Sequence, residues 1–98
     1  MLRMDQARGG LVRLTFILPV DRPGGRVSVV GDFNSWRPGE HELKRRSNGT
    51  RSLAVTVPEG TSLRFRYLAE GGNWSNETEH PDVRQIGDDS MVIAKLRR

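Results

Sequence analysis

The chain has 98 residues, no cysteine and a formal net charge of +4, with 35% hydrophobic residues. That length allows one domain that buries roughly two thirds of its unfolded surface. The missing cysteine excludes disulfides, thiolate metal sites and a cysteine nucleophile, and fits a reducing, cytoplasmic compartment. No apolar run approaches the roughly 18 residues of a membrane span, and the N-terminus is too polar for a signal peptide, so no membrane partner is expected.

Residues 1–9 read as a flexible tail closed by Gly9-Gly10, leaving 10–98 as the domain. Over 11–18, Val12, Leu14, Phe16 and Leu18 alternate onto one face of a strand. A turn at 21–25 leads to a second strand at 26–31, with Val27 and Val29 on one face. Residues 32–40 form a loop carrying Trp36. Asn48-Gly49, flanked by 41–45 and 51–57, is a two-residue hairpin signal because both positions tolerate φ > 0. Leu53, Val55 and Val57 share the inward face of the second arm.

Beyond a Pro58-Glu59-Gly60 turn, residues 62–69 alternate cleanly. Leu63, Phe65, Tyr67 and Ala69 point one way; Arg64, Arg66 and Leu68 point the other. A glycine turn over 70–73 presents Trp74, residues 75–89 are polar and irregular, and 90–96 close the chain as a strand. About seven short strands at 8–12-residue spacing, with no helical pattern, predict an all-β, immunoglobulin-like antiparallel sandwich.

Trp36 and Trp74 are the only tryptophans. Both are flanked by glycine and polar residues, whereas a core tryptophan has apolar neighbours at period two or 3.6. Exposed, each would be a flat apolar plate with one N–H donor at its edge, which suits a sugar ring. In a sandwich the two turns can converge, with the outward Arg66 between them as a hydroxyl donor. The alternative is that both rings cover the sandwich ends or pack under loops. Phe33 and Gly31 read as core and as a close backbone approach, and Asp32 as a cap on its own loop.

Val29-Val30-Gly31-Asp32-Phe33-Asn34-Ser35-Trp36 resembles the opening motif of carbohydrate-binding module family 48. That family includes the glycogen-binding domain of the AMP-activated kinase β subunit and the N-terminal early-set domains of isoamylases and branching enzymes. Phe65-Arg66-Tyr67, the glycine turn before Trp74, His80-Pro81-Asp82 and Gln85-Ile86-Gly87 follow in the family's order, from about Leu11 to Leu96. The resemblance implies an early-set domain that binds α-glucan oligosaccharide or glycogen without catalysis. It implies stacking by Trp36 and Trp74, hydroxyl contacts from Arg66, ring contact from Ile86 and no cofactor.

The family's asparagine before the last strand is absent, so one expected hydroxyl partner is missing or is supplied by Asp89 or Ser90. For Arg66 the alternative is a solvated strand arginine, for Ile86 a core or loop anchor, and for Asn73 a turn residue ahead of a sugar contact. The chain ends near the domain limits on both sides. A stand-alone module serving a glycogen-metabolising enzyme or kinase is therefore expected.

Two rival classes remain open. An early-set domain that has lost sugar binding would use the tryptophans to dock a protein. A nucleic-acid binder would use Lys44, Arg45, Arg46 and Arg51, although the basic residues are otherwise scattered, so no nucleic acid is expected. An enzyme is not expected. The acids over 77–89 lack a cleft, and His41 and His80 lack the spacing of a metal pair.

Overall fold

The computed structural model describes residues 1–96; Arg97 and Arg98, the end of the domain expected over 10–98, lie outside the described residues. The strands are β1 (Leu2–Gln6), β2 (Leu11–Pro19), β3 (Val27–Gly31), β4 (Lys44–Arg45), β5 (Thr50–Pro58), β6 (Ser62–Ala69), β7 (Asn73–Ser75), β8 (Arg84–Ile86) and β9 (Asp89–Ile93). One sheet runs β1-β2-β5-β4 and the other β3-β6-β9-β8, with β7 also paired to β6. Every pairing is antiparallel. The chain thus forms the expected all-β sandwich, consistent with an immunoglobulin-like early-set fold. It has nine strands among the described residues where about seven were expected.

The two inner faces are those the period-two pattern marks. Val12, Leu14 and Phe16 of β2 meet Val27 and Val29 of β3, Leu63, Phe65 and Tyr67 of β6, and Val92 of β9. Phe16 is the hub, with its ring edge-on to Phe65 at 5.0 Å and to Tyr67 at 6.3 Å. Phe33 is half-buried and stacks on Phe16 at 6.4 Å from outside the strands, so it packs against the core as expected.

Three local expectations change. The tail expected over 1–9 contains β1, whose Leu2 and Met4 pair with Phe16 and Leu14. Leu2 and Met4 alternate with Arg3 and Asp5, so this short run has an apolar face, and Leu2 is buried in the core. The Asn48-Gly49 turn is a three-residue loop, closed by Arg46 N–H donating to the Thr50 carbonyl at 2.8 Å. Gly49 alone takes positive φ (79°), as in a turn followed by a left-handed glycine. The Asn48 side chain instead accepts from the Thr50 backbone.

Arg51 is the third. It shares the inward parity of Leu53, Val55 and Val57 and is buried, not part of a basic surface. Its guanidinium donates to the Gly25 carbonyl at 2.6 Å and to the Pro23 carbonyl, tying the 23–25 turn to β5. Lys44, Arg45 and Arg46 remain exposed without it.

Candidate functional site

The chain leaves β3 at Gly31, where a Cβ would overlap the Arg64 carbonyl and the Phe33 ring. This is the close approach that the glycine implied. A single 3-10 turn over Asp32–Asn34 follows. Asp32 does not cap its own loop: its Oδ2 accepts from the Arg64 N–H at 3.2 Å, joining the loop to β6.

The loop is held by Asn34, which is buried. Its Oδ1 accepts from Gly31 N–H and its Nδ2 donates to the Val29 carbonyl, both at 3.0 Å. Nδ2 also meets His41 Nδ1 at 3.0 Å. Because the amide oxygen is committed to an N–H, the nitrogen is the donor here and His41 Nδ1 the acceptor. Ser35 and Trp36 then take left-handed backbone, φ 56° and 58°. Bulky side chains rarely sit there, and the strain is of the kind that persists only where surrounding bonds impose it. One of those bonds is Trp36 N–H to the Gly31 carbonyl, at 2.8 Å.

Trp74 is presented differently. Gly71 and Gly72 make the turn with φ 85° and 80°, but Trp74 itself lies on β7, directly across from Leu68. Leu68 and Arg66 share the outward face of β6 because Phe65, Tyr67 and Ala69 fill the core. Arg66 stacks on the indole, its Cζ 5.0 Å from the ring centroid. Its buried Nε has no hydrogen-bond partner. Arg66 is therefore not a freely solvated strand arginine: it lies over the Trp74 ring and also lines the groove that Trp74 shares with Trp36.

Just past β7 the chain is pinned by a polar network. Asn76 Nδ2 donates to the Asp88 carbonyl at 3.0 Å, and Glu77 N–H donates to Ser90 Oγ at 3.0 Å. Ser90 Oγ in turn donates to Asn76 Oδ1. The Glu77 carboxylate is fully covered. It accepts from Tyr67 Oη at 2.7 Å and Glu79 N–H at 2.9 Å, and lies 3.0 Å from the amine of Met1. Burial alone would raise its pKa; those donors outweigh burial and hold it below the ordinary carboxylate value. Burial, and then the Glu77 charge, push the Tyr67 phenol upward.

Trp36 and Trp74 come to one groove on the outer face of the second sheet. It is an open cavity of about 360 Å³ lined by Asp32, Trp36, Arg64, Arg66, Trp74 and Asp89. The indoles are 37% and 44% exposed, so neither is a core ring. Two arginines and two aspartates line it, which gives a charge-balanced surface with donors and acceptors beside the plates. Ile86 is half-buried on the same face, across from Asp89 in the β8–β9 pairing, but one strand beyond the groove. Asn73 does not line it; the side chain donates to the Glu70 carbonyl at 3.4 Å, a turn contact. Of the two residues standing where the family has asparagine, Asp89 lines the groove while Ser90 is wholly buried in the Glu77 network.

Sequence reasoning missed Arg64 and Asp32 as lining residues. Parity with Arg66 was the available signal for Arg64. It also missed Asn34, whose place between Phe33 and Trp36 gives no periodic cue. Among the described residues no cluster of histidine and acidic side chains could hold a metal ion.

The chain is similar to segments of much longer enzymes. It is 24% identical over 94 residues, 84% of its length, to the amylopullulanase of Thermoanaerobacter thermohydrosulfuricus. It is 34% identical over 73 residues, 74% of its length, to the 1,4-alpha-glucan branching enzyme GlgB of Rhodopseudomonas palustris strain BisB5. Over 42 residues, 43% of the chain, identity reaches 45% with the 1,4-alpha-glucan branching enzyme GlgB 2 of Xanthomonas campestris pv. campestris strain 8004. The chain spans only 6%, 9% and 6% of these three relatives respectively. No family model matches it.

Proposed function

We propose that the domain is a non-catalytic module that binds α-1,4-glucan, stacking glucose rings on Trp36 and Trp74. The observation that carries this reading is the meeting of the two half-exposed indoles in one groove with Arg64, Arg66, Asp32 and Asp89. Sugar ring faces are apolar and their rims are hydroxylated, which matches plates bordered by both donors and acceptors. The balanced charge favours a neutral ligand over a phosphate-bearing one. The resemblance to family 48 supports the same reading, as do relatives named as an amylopullulanase and as glucan branching enzymes. Glycogen, and an enzyme or kinase that acts on it, are the partners this reading favours.

Stacking is worth on the order of 1 kcal/mol per ring beyond area burial, so an open groove with two plates gives micromolar to millimolar affinity. The carboxylate with the depressed pKa, Glu77, is enclosed beneath Tyr67 away from the groove and is structural.

Titration with maltoheptaose, followed by tryptophan fluorescence and by NMR of the two indole N–H signals, tests the assignment. Both signals are expected to shift, with little dependence on salt. Silence of both at millimolar sugar overturns it, and affinity for an oligonucleotide that collapses with added salt would favour a nucleic-acid surface. Trp36→Ala and Trp74→Ala are each expected to weaken binding about tenfold with the fold retained.

A further inference from the structure

The outer face of the second sheet continues past the tryptophan groove. Along β9, Ser90 and Val92 are buried, so Asp89, Met91 and Ile93 point outward. Asp89 borders the first groove. Met91 and Ile93 line a second, of about 490 Å³, with Pro81, Asp82, Arg84, Lys95 and Leu96. The two grooves touch through one cross-strand row: Arg64 lines the first and pairs with Met91, which pairs in turn with Arg84.

The opposite side of the first groove is closed. Ser28 and Val30 are the outward residues of β3, since Val27 and Val29 fill the core, yet both are buried, Val30 completely. Ile93, at the far end of β9, is 49% exposed. A polymer that rests on the indoles and outgrows them therefore has open surface on the β9 side and none over β3.

We infer that Met91 and Ile93, with Arg84 and Lys95, form a second subsite for the same glucan chain. This rests on the glucan reading of the tryptophan groove. The plan of the first groove is repeated with weaker parts: an apolar strip of thioether and aliphatic groups replaces the indoles, and Arg84 and Lys95 replace Arg64 and Arg66 as donors. Hydroxyls of a neutral sugar accept from both cations, and its apolar ring face covers Ile93. Without an aromatic plate this subsite adds to binding at Trp36 and Trp74 and does not bind alone. Its consequence is a preference for long chains over short ones.

The experiment compares maltotriose with maltodecaose on the intact chain, reading affinity together with NMR signals of the indoles and of the Ile93 and Met91 methyl groups. Maltodecaose is expected to bind about three- to tenfold more tightly and to shift both sets of signals, whereas maltotriose shifts the indoles only. Ile93→Asp is expected to remove the long-chain advantage and leave maltotriose unchanged. If indoles respond to both sugars with equal affinity and the methyl groups stay still, the second subsite falls while the first stands. If no sugar moves the indoles, the glucan reading itself falls and takes the subsite with it. The wild-type signals decide the matter even if Ile93→Asp does not fold.

Discussion

Trp36 leaves β3 through one tight turn and sits at φ 58°, whereas Trp74 lies on a three-residue strand paired to β6. The first indole is positioned by a buried neutral amide two residues before it, Asn34. The second is positioned by a buried network two and three residues after it, centred on the ionised Glu77. Similar exposure is thus reached from unlike supports. The loop imposes strain on its tryptophan; the strand does not, and adds an arginine over the ring. The first support rests mainly on a neutral amide, with the exposed Asp32 carboxylate as an auxiliary tie to β6, and the second on a buried ionised carboxylate, so the two halves of the groove can be perturbed separately.

The largest effect is expected at Asn34. Asn34→Ala leaves the buried Gly31 N–H and Val29 carbonyl without their side-chain partner. Each unsatisfied buried group costs about 1–3 kcal/mol, so with two such groups urea unfolding is expected to show a loss of about 2–6 kcal/mol. The Trp36 indole signal should broaden or move while that of Trp74 stays in place. An unchanged midpoint would mean that Asn34 does not hold the loop.

Acid should act on the other half. Glu77 has a folded pKa below its unfolded value, so the folded state favours the ionised form. Its stabilisation is fully present above the ordinary carboxylate pKa of about 4 and is lost as pH falls through the lower folded value. In that range the Trp74 indole is expected to shift before that of Trp36. Glu77→Gln should lower stability at neutral pH by about 1–3 kcal/mol and flatten this acid dependence. Simultaneous movement of both indoles would erase the distinction between the two supports.

Trp36→Gly separates backbone strain from ring function. Left-handed backbone costs an L-residue roughly 1–2 kcal/mol and glycine almost nothing, so the variant should hold or gain about 1 kcal/mol of stability. Glucan affinity should fall about tenfold or more. A residue that weakens the fold and strengthens binding is what a functional loop position predicts. Loss of stability on this change would instead make Trp36 a packing residue.

The difference between the halves also explains what was readable in the chain. Strand parity is a two-residue rule. It placed the core residues of β2 and β6 and turned Arg66 outward without any further knowledge. Applied consistently, it also reaches Leu2 and Met4, which make β1, and Arg51, which faces inward beside Leu53. In both segments charge masks the parity: Arg3 and Asp5 interleave with Leu2 and Met4, and Arg51 is itself charged. The run before Trp36 has no period, so neither the two left-handed residues nor the threefold bonding of Asn34 could be seen. The Glu77 network was hidden for a different reason: its members, Tyr67, Asn76, Glu77 and Ser90, come from separate segments that only the folded sheet brings together. Meeting of the indoles in one groove is likewise a property of topology. Strand spacing makes it available without requiring it.

The smallest effect is expected at Asn73, in the turn before Trp74. Its place beside Trp74 made it a turn residue first and a candidate sugar contact second; it stands outside the groove and its side chain reaches the Glu70 carbonyl, at 3.4 Å. The bond is long and solvent-exposed, and the neighbouring turn already has Gly71 and Gly72 at positive φ. Asn73→Ala should therefore cost less than about 0.5 kcal/mol in urea unfolding, as expected for an exposed position away from caps and cores. Maltoheptaose affinity should change by less than about twofold. A tenfold loss with unchanged stability would bring Asn73 into the site. It would also mean that the 70–73 turn closes over the sugar, making the Trp74 side, not the strained Trp36 loop, the adaptable half of the groove.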